Sequence, residues 1–385
     1  MPAANNDLID QLRPTTLPVE QQTLFSAAFL EAFESSGCLG PQSGWLAQHQ
    51  TLRSDSGDQE AFLPLYLKQH SYGEYVFDWL WADASERAGL AYYPKLISAI
   101  PYTPCPGPRL GLSDPDAESL LPALLEQLIG HAEQQQASSW HLLFADHPSR
   151  ERIQRHWPLS QSLLERFDCQ YHWFNRNYSS FDDFLSQLRS QKRKSLKRER
   201  RKIEQQQLRL NRLSGKQISS TLIGAFYDFY ALTYHQRGRH PYLNRRFFEQ
   251  LRQQLADRML LVTAVDESAP GNPLVGCALF LFDQDTLYGR WWGGLPGYDC
   301  LHFEACYYQG IEFAIERGLK RFDPGTQGEH KLIRGFEPVK TCSLHWLKHP
   351  GLHQGVERWL AQERRQVEAY IEQARGLLPY RQSNC

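Results

Sequence analysis

The chain has 385 residues, with 42 lysines and arginines against 43 aspartates and glutamates, so its net charge calls for no polyanionic partner and any basic surface must be local. Its 41% hydrophobic and 12% aromatic content excludes a disordered chain, and 26 glycines with 22 prolines exclude a collagen-like one. The longest apolar runs, such as Val275 to Phe282, have strand length, well short of the ~18 residues that a membrane span requires, so no span is predicted.

Residues 1–22 read as an N-terminal tail. Asp7, Asp10 and prolines at 2, 14 and 18 lack the charged-then-apolar order of a signal peptide, which predicts a cytoplasmic location. Thr23 to Ser36 then places Leu24, Phe25, Ala28, Phe29, Ala32 and Phe33 at helical spacing. Ala61 to Lys68 and Tyr72 to Trp81, aromatic and branched on either side of a polar turn, predict a β-hairpin or neighbouring strands. Prolines from Pro101 to Pro108 interrupt any regular element. Leu120 to Gln134 is predicted helical, Trp140 to Phe144 a strand, Arg150 to His156 a short helix and Cys169 to Asn175 a strand.

The second half opens with one amphipathic helix from Phe181 to about Ile203, followed by helices at Leu222 to Thr233 and Arg245 to Leu255. Strands at Leu260 to Val265, Leu274 to Phe282 and Leu287 to Trp292 form an antiparallel set, before a helix from Leu301 to Arg317 and a strand at Arg321 to Asp323. The C-terminal helix gathers Val356, Trp359, Leu360, Val367, Tyr370 and Ile371 on one side. Eight cysteines, at 38, 105, 169, 277, 300, 306, 342 and 385, form no CxxC and predict reduced, mostly buried thiols.

An internal repeat organises these elements. Ala91 to Ile100 (AYYPKLISAI) lines up with Cys306 to Ile315 (CYYQGIEFAI). The strand ending in Ala145-Asp146 matches the one ending in Phe322-Asp323, and His172-Trp173 matches His345-Trp346, each after a Phe-acid pair. The reading is a duplicated mixed domain, at 23–176 and 177–350, with a terminal helix at 351–385.

Four segments carry chemistry. Arg189 to Lys202 (RSQKRKSLKRERRK) holds nine basic residues and one acid within the predicted basic helix 185–203. Its apolar residues Leu185, Leu188, Leu196 and Ile203 share a face, which leaves Arg193, Lys197, Arg200 and Arg201 to a ligand, the match being the phosphates of a nucleotide or of a nucleic acid. Tyr230 to Phe248 crowds Arg237, Arg239, His240 and Tyr242 beside Gly238 and Pro241, as in a ligand-facing loop. Arg290 to Tyr308, containing Trp292, joins a glycine-rich turn to a helix on which Glu304, Tyr307 and Tyr308 can orient an amine. It has neither GxGxxG nor a P-loop, and Cys300, His302 and Cys306 fit no zinc spacing, so no metal is predicted. Phe322 to Phe336 (FDPGTQGEHKLIRGF) follows a strand with Asp323 at its end. There Glu329 or His330 can accept a proton, and Lys331 and Arg334 can hold an anion or polarise a carbonyl, with Phe336 closing the segment.

The stretches Gly297 to Phe336 and Arg237 to Phe248 resemble signatures of the FemAB-like N-acyltransferases, and KRKSLKRERRKI (Lys192 to Ile203) resembles the Arg/Lys-rich helix of Fem transferases. The resemblance covers roughly Leu24 to Leu347. It implies an α+β chain of two tandem GNAT-like acyltransferase domains, each a mixed, mostly antiparallel sheet flanked by helices. The implied activity is an enzymatic one, transfer of an acyl or aminoacyl group to an amine-bearing acceptor, a cell-wall precursor among the candidates. No tightly bound cofactor is implied, and the donor co-substrate stays open between acyl-CoA and aminoacyl-tRNA. In that frame His330 or Glu329 accepts the proton, Lys331 and Arg334 face the donor or oxyanion, Glu304 and Arg237 orient the acceptor, and Arg193, Lys197 and Arg201 meet donor phosphates. The alternative from a different class is a non-catalytic RNA-binding protein that uses the basic helix.

Overall fold

The computed structural model of the protein describes residues 17, 18, 20–326 and 328–381. Most of the tail expected at 1–22, and Cys385, lie outside the described residues. Contacts divide the chain into two units, Met1–Cys169 with Lys340–Ala369, and Gln170–Val339 with Tyr370–Cys385.

In chain order the strands are Trp45–Ala47 (β1), Gln50–Arg53 (β2), Glu60–Leu63 (β3), Tyr66–Lys68 (β4), Lys95–Ser98 (β5), Gly111–Leu112 (β6), Ser139–Leu142 (β7) and Leu164–Phe174 (β8). Leu208–Ser214 (β9), Met259–Asp266 (β10), Leu274–Phe282 (β11), Thr286–Gly294 (β12), Arg321–Asp323 (β13) and Glu337–Leu347 (β14) follow. The first unit builds a sheet in the order β1-β4-β5-β7-β14, in which only β5 and β7 run parallel, and a small antiparallel sheet β2-β3-β6. The second unit orders its strands β9-β10-β11-β12-β13-β8, again with one parallel pair, β12 with β13.

Each unit therefore runs antiparallel strands into a helix, a parallel strand and a closing antiparallel strand. The closing strand is β14 in the first unit and β8 in the second. Two of the sequence matches fall on equivalent strands, β7 with β13 and β8 with β14. The third does not: Lys95–Ser98 is a buried strand, whereas Cys306–Ile315 is helical. Pro94 explains it, since its ring and missing N–H exclude a helix there.

Local chemistry accounts for the elements. β11 (LVGCALFLF) is buried from Val275 onward, as a central strand covered on both faces must be. β9 (LRLNRLS) sits at the other extreme, at the edge, with Arg209 exposed. The helices Ala27–Ser36 and Leu121–Gln134 follow the predicted periodicity, and the first is capped by Ser26, whose side chain accepts from Phe29 N–H.

Two expectations are corrected. Tyr72 to Trp81 is not a strand but an irregular loop leading into the helix Trp79–Arg87. Its carboxylates turn inward, Glu74 and Asp78 both meeting the buried Lys95 ammonium, and Gly73 and Tyr75 adopt positive φ. The helix expected from Phe181 to Ile203 is two, Phe181–Ser186 and Ser190–Gln205. Arg189 between them is extended (φ −55°, ψ 142°), and its N–H donates to Pro379 O at 2.8 Å.

Candidate functional site

The parallel ladder of β12 and β13 covers only Thr286–Tyr288 and Arg321–Asp323. Pro324 comes next and has no N–H to continue it, so the strands part. On the other side of β12 the register with β11 slips between Leu279 and Phe280, which leaves Arg290 as the extra residue of a bulge. The helix Ser220–His235 crosses β12 so closely that a Cβ on Gly293 would lie 2.2 Å from the Phe229 backbone. Between the parted strands lies a cavity of about 120 Å³, lined by Gly289 to Trp292, Phe280, Pro324, His302, Cys306 and Tyr307.

The helix that covers this cavity contains a π turn, Glu304–Tyr308, between Leu301–Phe303 and Gln309–Glu316. Such turns are rare and concentrate at functional sites. Gln309 donates to Glu304 Oε1, five residues back, at 2.8 Å. The turn separates two faces. His302, Cys306 and Tyr307 look into the cavity, whereas the buried Glu304 accepts from Arg200 at 2.9 and 3.1 Å, and Arg200 also reaches Glu312 at 2.6 Å.

The segment after β13 is wired from within. Asp323, fully buried, accepts from Gly325 N–H at 2.9 Å, and His172 beside it holds its carboxyl below the usual range against the effect of burial. The Lys331 ammonium is buried and donates to Gly325 O at 2.6 Å and Thr326 O at 3.3 Å. Arg334 donates to both Glu199 oxygens at 2.9 Å, to Tyr308 OH at 3.1 Å and to His330 O at 2.8 Å, and its guanidinium lies 3.6 Å from the Phe303 ring centre. Tyr308 in turn donates to Glu199. Glu329 and His330 are the more exposed members, although Phe303 and Tyr307 cover one side of the His330 ring: Glu329 accepts from Tyr370 OH at 2.7 Å, and His330 Nε2 lies 2.9 Å from Tyr307 OH.

Charge and burial keep both imidazoles neutral. Burial, then the neighbouring His330, Lys331, Arg334 and Arg237, brings His302 down to about 4. Burial, Arg334 and Lys331 also lower His330. Burial pushes the Tyr307 hydroxyl and the Cys306 thiol upward. A neutral imidazole at Nε2 therefore faces a protonated phenol, the pairing needed for proton movement.

Of the sequence-predicted residues, Tyr307 and Trp292 line the cavity, His330 meets it through Tyr307 OH, and Arg237 lies within charge reach of His302. Lys331, Arg334, Glu304, Tyr308, Asp323 and Phe336 are buried and do not line it, and the charged groups of Lys331, Arg334 and Glu304 are engaged by the protein itself. Tyr242 packs on Tyr234 at 5.9 Å. Arg193, Lys197 and Arg201 stand apart on the basic helix. Lys197 pairs with Asp182 at 2.9 Å, and with Arg201 it lines a second cavity of about 1050 Å³ on the Glu304 side. Sequence reasoning missed His302 as a cavity residue and Glu199 as the partner of Arg334. The spacing of His302, Cys306 and Tyr307 held a signal for the first, because one helical turn separates His302 from the other two.

The fold is α+β, with two units, each a mixed, mostly antiparallel sheet flanked by helices. Residues 6–382 match the model of the FemAB-like family, described as peptidoglycan biosynthesis/recognition, and the chain belongs to that family. A crystal structure of FemX is 11% identical and superposes with a TM-score of 0.51 over 91% of this chain and 97% of that one. A conserved protein of unknown function from Bacteroides thetaiotaomicron is 12% identical (TM-score 0.48, 90% and 98% covered). L-PGS from Bacillus licheniformis is 10% identical (TM-score 0.48, 96% and 99% covered). No curated protein matches. Among the described residues no helix is long and apolar enough to cross a membrane.

Proposed function

We propose that the protein is an N-acyltransferase that moves an acyl or aminoacyl group from an activated donor to an amine, with the cavity between β12 and β13 as the reaction site. The observation that carries this reading is the contact of Tyr307 OH with His330 Nε2, 2.9 Å apart, at the rim of a cavity walled by Trp291, Trp292 and Phe280. An amine attacks the donor carbonyl and forms the C–N bond. Its proton passes to Tyr307 as Tyr307 gives its own to His330, and the donor's C–S or C–O bond breaks with the electron pair leaving on sulfur or oxygen.

Lys331 and Arg334 act here as fixed positive charge that keeps His330 neutral and favours the developing oxyanion, since their hydrogen bonds are already taken up within the protein. Arg237 and Trp292 orient the acceptor. Arg193, Lys197 and Arg201 suit the phosphates of either donor, a CoA thioester or a charged tRNA, and the family description favours a cell-wall precursor as acceptor. The test is transfer from acetyl-CoA and from a mixture of charged tRNAs to amine acceptors. Wild type should turn over one donor class, and His330→Ala should lose at least about a hundredfold in kcat at unchanged melting temperature. Full turnover by His330→Ala would overturn the assignment. Salt-sensitive RNA binding without turnover would favour the RNA-binding reading.

A further inference from the structure

Resting on the proposed site, we infer that the C-terminal stretch Tyr370–Arg381 is a positioning strap, in which Tyr370 and Tyr380 hold the His330 segment at both ends. The segment Glu329–Arg334 is a single stretch of 3₁₀ helix, bounded by Gly328 and Gly335, both with positive φ (104° and 88°). Glycines permit this path but do not hold it, and 3₁₀ hydrogen bonds are poorer than α-helical ones. Yet the Tyr307–His330 contact depends on where this segment sits.

Lys331 and Arg334 tie down the middle of the segment, and the strap adds a constraint at each of its ends. At the first end, Tyr370 OH donates to Glu329 Oε1 at 2.7 Å and is met from behind by Tyr171 OH. At the other end, Tyr380 OH donates to Gly335 O at 2.6 Å. A Cβ on Gly335 would fall 2.9 Å from Phe184 and 3.2 Å from Tyr380 OH, so backbone and phenol are in direct contact there.

The strap is itself anchored, which lets it transmit position. Arg189 N–H donates to Pro379 O at 2.8 Å, Arg381 N–H donates to Gln187 O at 2.9 Å, and Arg189 Nε donates to Tyr380 O at 3.0 Å. The break between the helices Phe181–Ser186 and Ser190–Gln205 is thus the docking point of the C-terminal stretch. Neither tyrosine touches the cavity, so both are positioning residues that act through Glu329 and Gly335.

The test uses the full chain with Tyr370→Phe, Tyr380→Phe and the double variant, each of which removes a hydroxyl and keeps the ring. Hydrogen exchange of the peptide covering 328–336 should quicken about tenfold in Tyr380→Phe, and further in the double variant, while β10 and β11 keep their protection. The His330 imidazole, followed by NMR, should titrate closer to the ordinary value as its burial against Tyr307 loosens, and kcat should fall more than KM rises. Unchanged exchange in 328–336 and unchanged His330 titration in the double variant would overturn the strap. If those shifts appear but His330→Ala still transfers acyl groups, the strap stands and the catalytic reading falls.

Discussion

At His330 the pH dependence of the proposed reaction is set first by partial burial and then by the cations Arg334 and Lys331. Its value is lowered, so the base form persists to lower pH than for a free imidazole, and the acid limb of kcat/KM should fall below the ordinary ~6.5. A pH–rate profile checks this, and Lys331→Met should move the limb upward by removing one of those charges. Gly293 tests the geometry of the site rather than its charge. A methyl group there meets the Phe229 backbone, which cannot step aside as a side chain could, so Gly293→Ala should cost roughly 1–3 kcal/mol in urea unfolding. At this scale the sequence singled out His330 and Tyr307 by residue type, and the fold sets them 2.9 Å apart. The sequence misled where a charged residue proved to be framework, because no spacing rule tells that Arg334 is occupied by a Glu199 lying 135 positions away.

Among the elements, the basic helix Ser190–Gln205 serves two purposes on two faces. Inward, Glu199 anchors Arg334 and Tyr308, and Arg200 anchors Glu304. Outward, it presents cations toward the larger cavity. Glu199→Gln should therefore destabilise the second unit by about 3 kcal/mol, since it leaves a buried guanidinium short of its counter-charge. Arg201→Gln should leave stability alone while weakening donor binding and flattening its salt dependence. Denaturant titration and donor binding at two salt concentrations separate the two effects. Helices and buried strands were legible because their apolar periods are strong. The edge strand β9 was not, since Arg209, Asn211 and Arg212 interrupt its pattern, and the loop at Tyr72 to Trp81 was misread because Tyr72, Phe77 and Trp79 are exposed while Glu74 and Asp78 are buried.

Over the whole molecule, acid should be the destabilising direction below neutrality. His141 is brought down to about 3, His172 and His302 to about 4, and His345 well below its usual value, in each case first by burial. Because the unfolded chain takes up these protons near ~6.5, their contribution is whole above that pH and is lost as pH falls toward the folded values. Glu74, raised to about 7 by burial, works the other way, as do Asp168, Asp283 and Glu304, which burial also raises, while His70, His131, His330 and His353 are lowered and add to the acid direction. Urea unfolding between pH 7 and pH 5 should show stability falling steadily. The repeated plan was legible in the matched strand ends, whereas the exchange of closing strands was not, because sequence order carries no record of which sheet a strand joins. That exchange dictates a timetable. Every strand of the second unit's sheet has been synthesised by the time the ribosome passes Asp323, whereas the first unit's sheet must keep the edge of β7 open until β14 emerges. The half of the protein made first is thus the half completed last, and in the interval it is the one that a chaperone would have to guard.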